Sequence, residues 1–205
     1  MTRIAKGEPA PGPGPEPAQK RLDPDRRKAQ LLKHALAAFA EAGIERAVHA
    51  DVASRAKVST PTVFKYFPTR EALVDAVLSE VELAFKDLGA LKSTGIKLQP
   101  TALIQILSEL VSKLCSERPN LMKVALTWSV AFSPIRERFK DFENTRLDDL
   151  QSFLSAPEIS RSDARIFFSS MFLFVRMHFD GTTEDARKKY VERICEMFAV
   201  TYPIS

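Results

Sequence analysis

Val58-Ser59-Thr60-Pro61-Thr62-Val63-Phe64-Lys65-Tyr66-Phe67-Pro68-Thr69-Arg70-Glu71-Ala72-Leu73 is the stretch on which the fold turns. Ser59 can cap a short helix, and Pro61 falls in its first turn, where a missing backbone donor is harmless. Phe67-Pro68 ends that helix after about Tyr66. Thr69 caps the next one, with Glu71 set against the positive end of its dipole. Upstream, Ala50–Ala56 reads as another short helix with Val52, Ala53 and Ala56 inward, and Lys57-Val58 is the turn between the two. A short helix, a tight turn and a second short helix make a helix-turn-helix. In that unit the second helix carries its first residues to base edges in a major groove wide enough for one helix. Ser59, Thr60 and Thr62 supply hydroxyls, and Pro61 supplies a compact apolar surface for a thymine methyl. Lys65 supplies a cation for guanine or phosphate. Tyr66 and Arg70 lie where a phosphate strand would pass.

The helical reading extends in both directions. Asp23-Pro24 is a helix start, with Asp23 placed to accept from free backbone N–H groups and Pro24 at the first helical position. Leu31, Leu32, Ala35, Leu36 and Phe39 form an apolar stripe, and Gly43 suits a left-handed cap. After Thr69 a helix runs from about Arg70 to Leu91, and 92–100 is a loop. Leu103, Ile106, Leu107, Leu110 and Leu114 recur at spacings of three and four. Pro119 opens a helix bearing Trp128. Pro134 opens another, with Ile135, Phe139, Phe142, Leu147, Leu150 and Leu154 inward, which Pro157 breaks. Helices over about Ser162–Phe179 and Glu184–Val200 follow, separated by Gly181. The expected fold is all-α, with about nine helices, no strand and no internal repeat.

Composition bounds the function. The 205 residues are 45% hydrophobic and 27% charged, with a formal net charge of +4, which permits a sizeable core and tolerates nucleic acid. Residues 7–18, GEPAPGPGPEPA, cannot build a helix or a core and read as an extended lead. Lys20 and Arg21 end it. Cys115 and Cys195 have no ligand-like spacing, so neither a disulfide framework nor a zinc site is expected, and a reducing cytoplasm is. No signal peptide is expected, because residues 1–20 lack an apolar core. Ile166–Val175 is about half the length that a membrane span requires. An enzyme is disfavoured too: there are three histidines, His34, His49 and His178, and neither a glycine-rich phosphate loop nor a nucleophile with a recognisable base. His178 with Asp180 is the one hint of a metal corner, and such lone pairs are ordinary surface residues. No cofactor or metal is expected.

Ile166, Phe167, Phe168, Met171, Phe172, Leu173, Phe174 and Val175 leave the eighth helix almost no polar face, so it must be covered on every side. Val191, Ile194, Cys195 and Phe198 give the ninth a neighbouring stripe. Deep packing within one subunit would cover them, and so would a second copy of the chain. The second covering is the expectation, through Phe168, Phe172, Val175, Val191, Ile194 and Phe198.

The wording of residues 58–73, with Asp51-Val52-Ala53 and Ala56 before it, strongly resembles the DNA-binding signature of the TetR family over roughly residues 24–80. His49-Ala50-Asp51-Val52-Ala53, Thr62-Val63-Phe64 and Tyr66-Phe67-Pro68-Thr69-Arg70-Glu71 look like the LuxR/HapR branch, the quorum-sensing master regulators of vibrios. Lys123-Val124, Trp128-Ser129 and Ile4-Ala5-Lys6 echo that branch more faintly. The resemblance implies an arm over 1–22, a reader over 23–68, and a dimerisation and effector domain over 69–205. It implies a cytoplasmic bacterial homodimer, on the nucleoid when bound, that activates and represses many promoters through pseudo-palindromic operators. A local repressor released by a small molecule is the alternative. By position Ser59, Thr60, Pro61, Thr62 and Lys65 would face bases, Phe64, Tyr66 and Arg70 the phosphate backbone, and Lys20 and Arg21 the minor groove.

The resemblance also implies a cavity for a small apolar effector, with Phe85, Trp128, Phe132, Leu147, Met171 and Phe172 as candidate lining. Aromatics at this spacing equally make a plain core. The chain departs from the family pattern at Lys57, where glycine is frequent, at Phe64, where tyrosine often reaches phosphate, and at Lys65, where the branch favours asparagine. Its arm also carries one arginine where the branch tends to have more.

Overall fold

The computed structural model describes residues 23–90, 97–132, 134–154 and 159–202. They form nine helices: α1 (Pro24–Ala42), α2 (His49–Ala56), α3 (Thr60–Tyr66), α4 (Arg70–Ala90), α5 (Pro100–Glu117), α6 (Pro119–Ser129), α7 (Ile135–Phe153), α8 (Arg161–Met177) and α9 (Glu184–Thr201). The extended structure among the described residues is one isolated parallel bridge, Leu98 to Leu154. The all-α expectation holds. The proline-rich lead, Lys20, Arg21, Pro157 and most of the 92–100 loop lie outside the described residues.

The ends of α1 depart from their expected local chemistry in two ways. The Asp23 side chain does not cap α1; instead its backbone carbonyl accepts from the Arg27 N–H at 2.9 Å. Gly43 has the positive φ expected of a stop, 87°, but its ψ of 154° is an extended conformation that is essentially glycine's alone. Thr69 caps α4 as read, its Oγ1 accepting from the Ala72 N–H at 3.1 Å. A hydrogen bond from its own backbone N–H, and after it one from the Thr69 hydroxyl, hold the Glu71 carboxyl below its usual range.

Two apolar cores hold the helices together. The first joins Leu31, Ala35 and Phe39 of α1 to Val52, Val63, Phe67, Leu73 and Val77, and continues through Met122, Trp128, Phe139 and Phe142 to Phe174 and Val175. The second gathers Leu103, Leu107, Leu147, Leu150, Phe153, Phe167, Met171 and Phe198. The first core runs without a break from α1–α3 into the body, and α4 is its spine. Arg138 of α7 locks that spine from outside. Its Nε and Nη2 donate to Glu82 at 2.7 and 2.8 Å, and Nη2 also donates to Ser79 at 3.0 Å. A further ion pair joins Arg138 to Asp75.

Not every apolar residue went where its spacing suggested. Ile106 is exposed on α5, while Ile104, Val111 and Cys115 are buried. Burial pushes the Cys115 thiol up to about 11. Since the thiolate is the nucleophile, Cys115 is expected to resist alkylation at mildly alkaline pH until the protein is unfolded. Mass spectrometry of labelled folded and unfolded protein checks this, and labelling of the native protein at the rate of a free thiol would contradict it.

The α8 and α9 residues expected to meet a partner are largely consumed inside the subunit. Val175 and Phe198 are buried. Phe168 and Phe172 pack against Phe139 at 6.4 and 5.6 Å between ring centroids. Val191 and Ile194 are half-buried against the second core. The cause is geometric: α8 sits between α5, α6 and α7, so most of its circumference meets its own chain. Exposed apolar side chains remain at Ile166 and Leu173, seven residues apart on α8, and at Met197 and Val200 on α9.

Candidate nucleic-acid interface

The reader is built around the turn after α2. Lys57 is left-handed, φ 53° and ψ 46°, and is the one non-glycine residue with positive φ among the described residues. That conformation strains an L side chain by roughly 1–2 kcal/mol. It is sustained by the hydrogen bonds that close α2, Lys57 N–H to Ser54 O at 3.3 Å and Val58 N–H to Ala53 O at 3.1 Å. At the other end of α2 the Asp51 carboxylate accepts from the Val48 N–H at 2.8 Å. Val52 and Ala53 are buried under α3, whose Val63 faces inward.

This packing turns the remaining side chains of α3 outward. Ser59, Pro61, Phe64 and Lys65 are exposed, and Thr60 and Thr62 are partly so. The Ser59 hydroxyl does not cap the helix; it shares a hydrogen bond of 2.8 Å with the Thr62 hydroxyl. Phe64, 45% exposed, lies flat on the His49 imidazole, with centroids 3.9 Å apart and planes 9° from parallel. Tyr66 is half-buried against the first core.

Arg70 has partners within its own chain. Its guanidinium donates to the carbonyls of Ile44 and Glu45 at 2.9 and 2.6 Å, fastening α4 to the loop after α1. His49 is a residue whose role sequence reasoning missed. Its signal was legible, since His49, Val52, Ala53 and Ala56 fall on one helical face, and a histidine on a buried face needs a partner.

In the body, Phe85, Met171 and Phe172 line an apolar cavity of about 70 Å³, together with Arg146 and Asp149. These two charges form an ion pair at 3.0 Å, and Arg146 also donates to the Phe85 carbonyl at 2.7 Å. The other three expected lining residues are elsewhere. Trp128 is fully buried, its indole N–H donating to Ile135 O at 3.1 Å. Leu147 is fully buried in the second core. Phe132 is 74% exposed, in the connection between α6 and α7. No cluster of metal-ligating side chains and no helix long and apolar enough to cross a membrane is present among the described residues.

Comparison with known proteins agrees with this architecture. Residues 31–77 match the model of the bacterial regulatory proteins of the tetR family. A stretch of 111 residues is 40% identical to the HTH-type transcriptional regulator LuxR of Vibrio harveyi; it spans 54% of this chain and 54% of that relative. GusR of Salmonella enterica superposes with a TM-score of 0.65 at 17% identity, covering 91% of this chain and 100% of that one. The multidrug binding protein EbrR, solved with imidazole, gives 0.60 at 18% identity, covering 89% and 93%. At such identities the two structures speak for the fold alone. Residues 31–77 are thus similar to the DNA-binding segment of the bacterial regulatory proteins of the tetR family, and this chain spans about half the length of the LuxR relative that it resembles.

Proposed function

We propose that the protein is a homodimeric, sequence-specific DNA-binding regulator that controls many promoters through pseudo-palindromic operators, in the manner of quorum-sensing regulators. The observation that carries this is the exposed N-terminal half of α3 on a rigid turn, within a segment that matches a family of regulators. Ser59, Thr60, Pro61, Thr62 and Lys65 read bases; Phe64 and Tyr66 flank the backbone. Lys20 and Arg21, outside the described residues, enter the minor groove, whose negative potential attracts arginine where it is narrow. Residues 23–68 act as reader and 69–205 as the body that spaces two readers. Successive major grooves lie about 34–36 Å apart on one face of DNA, so body geometry sets operator fit. Pairing uses the exposed Ile166 and Leu173 with Met197 and Val200. The protein acts in the cytoplasm, on the nucleoid.

Lys65→Ala is expected to weaken specific binding by about 1–3 kcal/mol. Titration of specific and random duplexes checks it, and an equal loss on both would mean that Lys65 touches only phosphate. Deleting residues 1–21 is expected to lower affinity and flatten its dependence on salt, because fewer counterions are released. An unchanged slope removes the arm from the interface.

The second reading, a local repressor released by a small apolar effector, draws on the cavity beside Arg146 and on the likeness in fold to the multidrug binding protein EbrR. Sequencing of genomic fragments bound by the purified protein, with and without cell extract, separates the two. Many promoters bound regardless of extract support the first reading. One operator released by extract supports the second, and no enrichment at low salt refutes both.

A further inference from the structure

His49 belongs to none of the base or phosphate contacts proposed above, yet it is tied to the reading helix twice. It is the first residue of α2 and is 5% exposed. Its Nε2–H donates to the carbonyl of Phe67 at 2.8 Å. Phe67 closes α3, and its carbonyl belongs to the group of acceptors that a helix end leaves without an intrahelical donor. The same imidazole supports the Phe64 ring in the stack described above, midway along α3. One side chain at the start of α2 therefore grips both the middle and the end of α3.

We infer that His49 is a positioning residue for DNA reading: it sets the rotation of α3 about its own axis and holds the Phe64 ring at the DNA-facing surface. The inference rests on the proposed DNA-binding function. α3 has only seven residues. Its apolar contact, Val63 over Val52 and Ala53, draws the two helices together without direction, since hydrophobic attraction is roughly proportional to area. A hydrogen bond and a stacked ring are directional, and together they define a rotation. Reading side chains must be held within about 0.5 Å of their productive places, so a small roll of α3 misaligns Thr60, Thr62 and Lys65 together.

Two substitutions separate the links. His49→Phe keeps a ring beneath Phe64 and removes the donor; His49→Gln keeps a donor and removes the stack. Both are compared with the unmodified full-length chain on the duplex that it enriches by selection and on a scrambled duplex of equal composition. Each variant is expected to lose about tenfold or more on the selected duplex and less than threefold on the scrambled one. Phe64→Leu is expected to add little in the His49→Gln background, because the ring has already lost its support. Equal losses on both duplexes, unchanged affinity, or full additivity with Phe64→Leu would overturn the inference. Failure of the unmodified chain to enrich any duplex would overturn the DNA-reading function itself.

Discussion

Trp128→Ala is expected to lower the stability of the protein by about 3–5 kcal/mol, the range for truncating a fully buried large aromatic to alanine. Trp128 has no exposed surface, and its ring lies 5.4 Å from Phe139 and 5.2 Å from Phe142. Those rings continue to Phe168 and Phe172, so the hole would open where α6, α7 and α8 meet. The stiff neighbouring helices leave little room for collapse, and cost rises with the volume left empty. At roughly 2–4 °C per kcal/mol for a chain of this size, the midpoint falls by about 6–20 °C. Thermal unfolding followed by circular dichroism at fixed protein concentration measures it, because the substitution removes the only tryptophan and an oligomer's midpoint varies with concentration. A fall of less than about 2 °C would show that the pocket closes freely, contrary to close packing. Trp128→Phe, which fills most of the space, is expected to fall between the two.

The second large effect is functional. Ile166→Glu combined with Leu173→Glu is expected to yield a folded monomer whose operator affinity drops by about two to four orders of magnitude. Both side chains are exposed in the subunit, so charge there leaves the internal cores intact. Across an apolar dimer face, four glutamates from two copies would meet without partners, and burying unpaired charge is prohibitive. A dimer gains from binding two half-sites at once, because the second contact is made at high local concentration; this gain commonly reaches 10²–10⁴ and disappears with the dimer. Sedimentation gives the oligomeric state, circular dichroism the fold, and titration of a full operator the affinity. A double variant that stays dimeric and binds normally would place the pairing face elsewhere.

How much of the site was legible depended on the range of the interaction involved. The turn at Lys57, the cap at Thr69 and the outward face of α3 follow from residues within a few positions of each other, and their expected places were largely right. The anchoring of Arg70 was not foreseen because its partners, Ile44 and Glu45, lie 26 and 25 residues away and offer backbone carbonyls, which leave no mark in a side-chain pattern. His49 bonds across 18 residues to another carbonyl; its place on a buried helical face could be read, but its partner could not.

Sequence alone determined the class: nine helical segments, roughly where each begins and ends, and a pair of short helices about a strained turn. Those features arise from backbone sterics, hydrogen bonds to neighbouring residues and the period of the helix, all local quantities. Tertiary structure decided which apolar faces were consumed. It put Trp128 and Leu147 wholly in the cores, left Phe132 at the surface, and lined the cavity with Phe85, Met171 and Phe172 beside an ion pair. It also turned Phe168 inward and left Ile166 and Leu173 out. Periodicity assigns a residue to a face of its own helix, but only the neighbour packed there determines whether that face is core, cavity or surface.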